Sequence, residues 1–137
     1  MIFIGVDTGT HTGIAVWDSE EKSFIEVKTM MLHQALQLVI TICKSWGREN
    51  VMVIFEDARQ RKWFGVNSNV KMQGAGSVKR DASIWEEFCT DYQIPFRALP
   101  PTAGATKLKP DYFKAITGWS KKTSEHARDA AMIVFGR

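Results

Sequence analysis

The chain has 137 residues, of which 45% are hydrophobic and 24% charged, with two Cys and a formal net charge of +3. Such a length and composition fit one globular domain with a substantial core. They exclude intrinsic disorder, which needs fewer hydrophobes, and a disulfide scaffold, which needs more Cys. No apolar run approaches the roughly 20 residues of a membrane span. The opening Met1-Ile-Phe-Ile-Gly-Val-Asp7 carries no basic leader before an apolar stretch, so no signal peptide is expected. The expected location is the cytoplasm, with no membrane partner.

In chain order, the β-branched run over residues 2–6 predicts a strand, and Thr8-Gly9-Thr10-His11 a turn. Residues 13–17 and 23–29 predict two more strands, closing an antiparallel meander. Leu32, Ala35, Leu36, Val39, Ile42, Cys43 and Trp46 then recur at three- and four-residue steps, one stripe of a helix that Gly47 ends. The continuous apolar run 51–55 predicts a strand buried on both faces and parallel to the first. Residues 58–69 read as a basic loop carrying Trp63 and Phe64. A second helix has Val78, Ala82, Trp85, Phe88, Cys89 and Tyr92 on its stripe, with Gly74 and Gly76 weakening its first turns. A fifth strand is expected over 95–99, irregular chain over 100–104 and a short helix over 111–116. Ser124 caps a last helix over 125–135. The order predicts a single α/β domain, with a mixed five-stranded sheet (three antiparallel strands extended by two parallel ones) and helices on both faces.

Charge is unevenly spread. Between residues 58 and 80 stand Arg59, Arg61, Lys62, Lys71, Lys79 and Arg80, with no acid. Between 97 and 122 stand Arg97, Lys107, Lys109, Lys114, Lys121 and Lys122 against Asp111 alone. These two segments carry +11 and leave −8 on the rest, an electrostatic footprint for a polyanion. Cys43 and Cys89 lack further ligands at metal spacing and read as buried thiols.

The acids point to one edge. Asp7 follows the first strand, and Glu56 and Asp57 follow the fourth. If these strands are parallel neighbours, their carboxyl ends meet where open α/β sheets bind ligands. His126 and Asp129, at i and i+3, share one face of the last helix. Carboxylates gathered in one place repel unless a cation lies between them. Oxygen donors with one imidazole suit Mg²⁺ or Mn²⁺. Two such ions about 4 Å apart can hold a phosphodiester for hydrolysis.

Ile4-Gly-Val-Asp7-Thr-Gly-Thr-His-Thr-Gly13-Ile-Ala-Val16, Val53-Ile-Phe-Glu56 and Glu125-His126-Ala-Arg-Asp129-Ala130-Ala131 resemble three successive motifs of the RuvC-like Holliday junction resolvases, within the RNase H-like superfamily. The resemblance spans nearly the whole chain. It implies an RNase H-like fold, a homodimer, two Mg²⁺ ions per site with Mn²⁺ as a substitute, and paired nicking of four-way and other branched DNA. It also implies that Asp7, Glu56, His126 and Asp129 are the metal-binding and catalytic set. Asp57 has no counterpart in the family's pattern and is expected outside that set.

The short chain looks like the compact resolvases of phages and prophages, which act in a bacterial host. Arg59 and Gln60 fill the stretch where the family carries a stacking aromatic, so Trp63 or Phe64 is expected to take that role. Arg59, Arg61, Lys62, Lys71, Lys79, Arg80, Lys107 and Lys109 are the expected phosphate contacts, with Lys107 and Lys109 placed as the family's basic residues facing the scissile strand. Two other readings stand beside this one: a YqgF-like RNase H-fold ribonuclease, and a catalytically inactive nucleic-acid-binding module. The first motif also resembles the phosphate-binding turn of actin-like ATPases and sugar kinases, whose duplicated domain does not fit this length.

Overall fold

The computed structural model describes residues 1–60, 76–102 and 107–137. Strands β1 (Ile2–Asp7), β2 (His11–Asp18) and β3 (Ser23–Met31) form the meander. Helix α1 (Leu32–Trp46), strand β4 (Val51–Glu56), helix α2 (Gly76–Asp91), strand β5 (Phe96–Leu99) and helices α3 (Pro110–Thr117) and α4 (Glu125–Val134) follow. The sheet order is β3-β2-β1-β4-β5. The β1–β2 and β2–β3 pairs are antiparallel, and the β1–β4 and β4–β5 pairs are parallel. This is the mixed sheet that the residue pattern predicts.

Strand alternation divides the core in two. On one face Ile2, Ile4, Val6, Ile14, Val16, Val51, Val53 and Phe55 pack with Ala35, Val39, Ile42 and Cys43 of α1 and Ala82, Trp85 and Cys89 of α2. On the other, Ala15, Trp17, Phe24, Val27 and Ile54 pack with Phe113 of α3 and Ala127, Ala130, Ala131 and Val134 of α4. Both cysteines are free and buried, as expected, and burial pushes the Cys89 thiol up to about 12. Among the described residues no helix is long and apolar enough to cross a membrane.

Several boundaries differ from the sequence pattern. The β2–β3 ladder runs on to the pairs His11↔Met31 and Thr12↔Met30, so His11 lies in a strand rather than a turn. A bulge between Val16 and Trp17 absorbs a register shift. In α2 the middle of the predicted stripe is buried, while Val78 in its first turn and Tyr92 just past its end are 41% and 43% exposed. Trp85 is fully buried in the core of the α1–α2 face. Phe135 caps α4 from outside the helix.

Candidate metal centre

β1 and β4 run side by side in the register Val6↔Phe55, and each ends one residue later, at Asp7 and Glu56. Alternation puts Phe3, Gly5 and Asp7 of β1 and Met52, Ile54 and Glu56 of β4 on the α4 face. Helix α4 lies against the strands at backbone distance. A Cβ on Gly5 would sit 2.2 Å from the Ala130 carbonyl oxygen, and one on Gly13 would sit 2.0 Å from that of His126. Only glycine leaves room for this approach, and the small Ala127, Ala130 and Ala131 complete it. The start of the helix is fixed by Ser124, whose Oγ accepts from the Ala127 N–H.

This packing brings the first turn of α4 to the end of β1. His126 Nδ1 and Asp7 Oδ2 are hydrogen-bonded at 2.7 Å; in the tautomer that carries its proton on Nδ1, the ring donates to the carboxylate and Nε2 keeps a lone pair. Asp7, His126 and Asp129 each offer one ligand atom, and the three atoms lie within 4.8 Å of one another. Asp7, Glu56 and Asp129 line a single cleft of about 550 Å³. Burial pushes the Asp7 carboxyl above the usual carboxylate range, against the pull of the His126 hydrogen bond, and the Asp129 charge adds to the upward push. A carboxylate desolvated beside another acid is one that a cation would relieve.

A cation already stands at the edge. Lys107 Nζ donates to Asp129 Oδ2 at 3.1 Å and pairs with Glu125. Those contacts hold the Lys107 ammonium above its ordinary range and pull the Glu125 carboxyl down. The backbone behind Lys107 is anchored by Arg128, only 9% exposed. Its Nε donates to the Leu108 carbonyl at 2.8 Å, and its Nη1 to the Thr123 carbonyl at 2.9 Å and to Thr123 Oγ1 at 3.1 Å.

Asp57 turns away from the cleft. It is 4% exposed and accepts from Arg59 Nε and Nη2, both at 2.8 Å, from the Arg59 backbone N–H and from Gln60. The Arg59 side chain holds its carboxyl below the usual range. Arg59, expected at phosphate, bonds also to Glu86 and Ser83 of α2. Lys79 is half-buried and Arg80 exposed in the first turns of α2, and Lys109 is exposed just ahead of α3. Arg61, Lys62, Trp63, Phe64 and Lys71 lie outside the described residues, as do Gly74 and Gly104.

The sequence reading missed the rest of the cleft wall: Leu99, Pro100, Thr102, Leu108, Met132, Ile133 and Arg137. Helical spacing from Asp129 was a signal for Met132 and Ile133. Arg128, flanked by the alanine face, carried none. Neither protein-family models nor curated protein sequences give a match to this chain.

Proposed function

We propose that this chain is a metal-dependent, structure-selective DNA endonuclease that resolves Holliday junctions and other branched DNA by paired phosphodiester hydrolysis. The observation that carries the reading is the meeting of Asp7, His126 and Asp129 within 4.8 Å, at the edge of the cleft that Asp7, Asp129 and Glu56 line. The donor set fits Mg²⁺ or Mn²⁺: three carboxylates, one imidazole and no thiolate. Bound there, such ions supply the charge that activates water and stabilises the leaving oxygen.

The chain's own residues do the remainder. Asp7, Glu56 and Asp129 hold the ions, and His126 is oriented by its bond to Asp7. Leu99, Pro100, Met132 and Ile133 narrow the wet volume around the acids. Lys79, Arg80 and Lys109, with Arg61, Lys62 and Lys71, position the DNA backbone, and Trp63 or Phe64 stacks on an exposed base. Paired cuts need two active sites, and a homodimer matches the two-fold symmetry of the junction. The resemblance to RuvC-like resolvases supports the same reading.

The test is a substrate panel of a four-way junction, a flap, linear duplex and structured RNA, each with Mg²⁺ and with EDTA. The expected result is paired nicking of the junction in Mg²⁺ alone. Cleavage confined to the RNA would replace this reading with a YqgF-like ribonuclease. Binding without any cleavage would leave a nucleic-acid-binding module.

A further inference from the structure

The ion pairs of Lys107 tie a basic side chain to one of the acids that the proposed centre needs. We propose that Lys107 is a built-in counterion that competes with the divalent ion for Asp129 and, once displaced, turns to the substrate phosphate. The inference rests on the metal-dependent reading of the cleft. It adds a coupling between metal occupancy and the availability of a DNA-binding cation.

Three observations carry it. First, Lys107 Nζ sits 3.1 Å from Asp129 Oδ2, and Asp129 supplies one of the three ligand atoms grouped within 4.8 Å. An ammonium at that distance and a dication on the same carboxylate repel, so occupancy by one weakens the other. Second, the pair is easily exchanged. The Lys107 side chain is 59% exposed, and its partners Glu125 and Asp129 are 55% and 29% exposed, so water competes with both contacts. Third, the anchor and the tip behave differently. Arg128 clamps the Leu108 carbonyl from a buried position, so the backbone at Lys107 stays beside the cleft. The four-carbon stem leaves the ammonium free to swing within it. Lys107 itself lines the cleft with Asp7, Glu56 and Asp129, where a phosphate would enter.

The arrangement has a functional consequence. Without metal, Lys107 offsets part of the repulsion among the acids. With metal, its charge is freed at the moment when a phosphodiester can be cut. DNA binding at the cleft is thereby tied to metal loading.

The experiment is calorimetric titration of Mn²⁺ into the full chain without DNA, for wild type, Lys107→Met and Lys114→Met. Lys114 is an exposed lysine on α3 and controls for the loss of one positive charge. Lys107→Met should bind Mn²⁺ about fivefold more tightly than wild type, the size of two exposed ion pairs. Lys114→Met should match wild type. Equal or weaker binding by Lys107→Met, or equal tightening by Lys114→Met, would overturn the inference while leaving the metal centre standing. Binding by Lys107→Met alone would support it in its strongest form. Absence of Mn²⁺ binding in all three proteins would remove the metal-dependent reading and this inference with it.

Discussion

Gly13 of β2 and His126 of α4 meet so closely that a Cβ on the glycine would stand 2.0 Å from the histidine carbonyl oxygen. The contact sets how far α4 sinks onto the sheet, and so where His126 and Asp129 stand relative to Asp7. Gly13→Ala must push the helix outward. It should cost about 1–3 kcal/mol, the range for overpacking a tight interior, and lower cleavage more than stability alone explains. Gly9 is the comparison: its added Cβ would meet only the His11 carbonyl oxygen, at an ordinary 3.5 Å. Gly9→Ala should therefore keep its fold. Urea unfolding and junction cleavage of the two variants, side by side, check both expectations.

The acids should separate chemistry from binding. Asp7→Asn, Glu56→Gln and Asp129→Asn should each lose cleavage by about 10²-fold or more, the scale of losing charge stabilisation at a reacting centre. Each should bind junction DNA at least as well as wild type, since negative charge opposes DNA approach. Asp7→Asn carries a second signature. The Asp7 carboxyl is raised by burial, so its ionised form opposes folding at neutral pH, and that opposition fades as pH falls through its folded value. In EDTA at neutral pH, Asp7→Asn should unfold at a temperature equal to or above that of wild type.

His126 divides two readings of the α4 first turn. Its ring meets Asp7 at 2.7 Å and stands in the three-residue cluster. His126→Ala should lower cleavage by about 10²-fold, and His126→Asp, which restores an oxygen donor, should recover a substantial part. Single-turnover cleavage rates in Mg²⁺ measure this. Wild-type rates from the alanine variant would take His126 out of the site.

The fold was legible wherever a period was clean. The α1 stripe from Leu32 to Trp46 has helical spacing with Gly47 behind it, and the helix spans Leu32–Trp46 with Gly47 at φ 85°. Asp7 and Glu56 were legible because each ends a buried apolar run, and parallel pairing of those runs puts both ends at one edge. Burial depth was less legible. Periodicity shows which way Val78 and Tyr92 face, but not how little of each the rest of the fold covers. The polar contacts were least legible. Lys107 meets Asp129 and Arg128 meets Leu108 only after the chain has folded back, and no local pattern encodes those partners.

Asp57 is the acid next to the site that the structure uses otherwise. Arg59 hydrogen bonds hold its carboxyl below the usual range, so it stabilises the fold at pH above its unfolded value of about 3.9. That contribution is lost as pH falls further, through the folded value. Asp57→Asn should cost about 1–2 kcal/mol at pH 7, a buried-pair penalty reduced because the Arg59 side chain is 33% exposed. The deficit should shrink progressively below about pH 4, as the unfolded chain takes up its proton first and the folded carboxyl follows at lower pH. Cleavage should change little at pH 7 in conditions where both proteins are folded. Urea unfolding at pH 7 and at successively lower pH gives the comparison.

In the proposed nuclease, Asp7, Glu56, His126 and Asp129 form a divalent metal centre. Anomalous diffraction from crystals grown with Mn²⁺ tests it most directly. Anomalous density is expected in the cleft within coordination distance of Asp7 and Asp129, with Glu56 on the same or a neighbouring ion, and should disappear in Asp7→Asn crystals. A cleft without anomalous density at saturating Mn²⁺, or density unchanged by the Asp7 substitution, would contradict it.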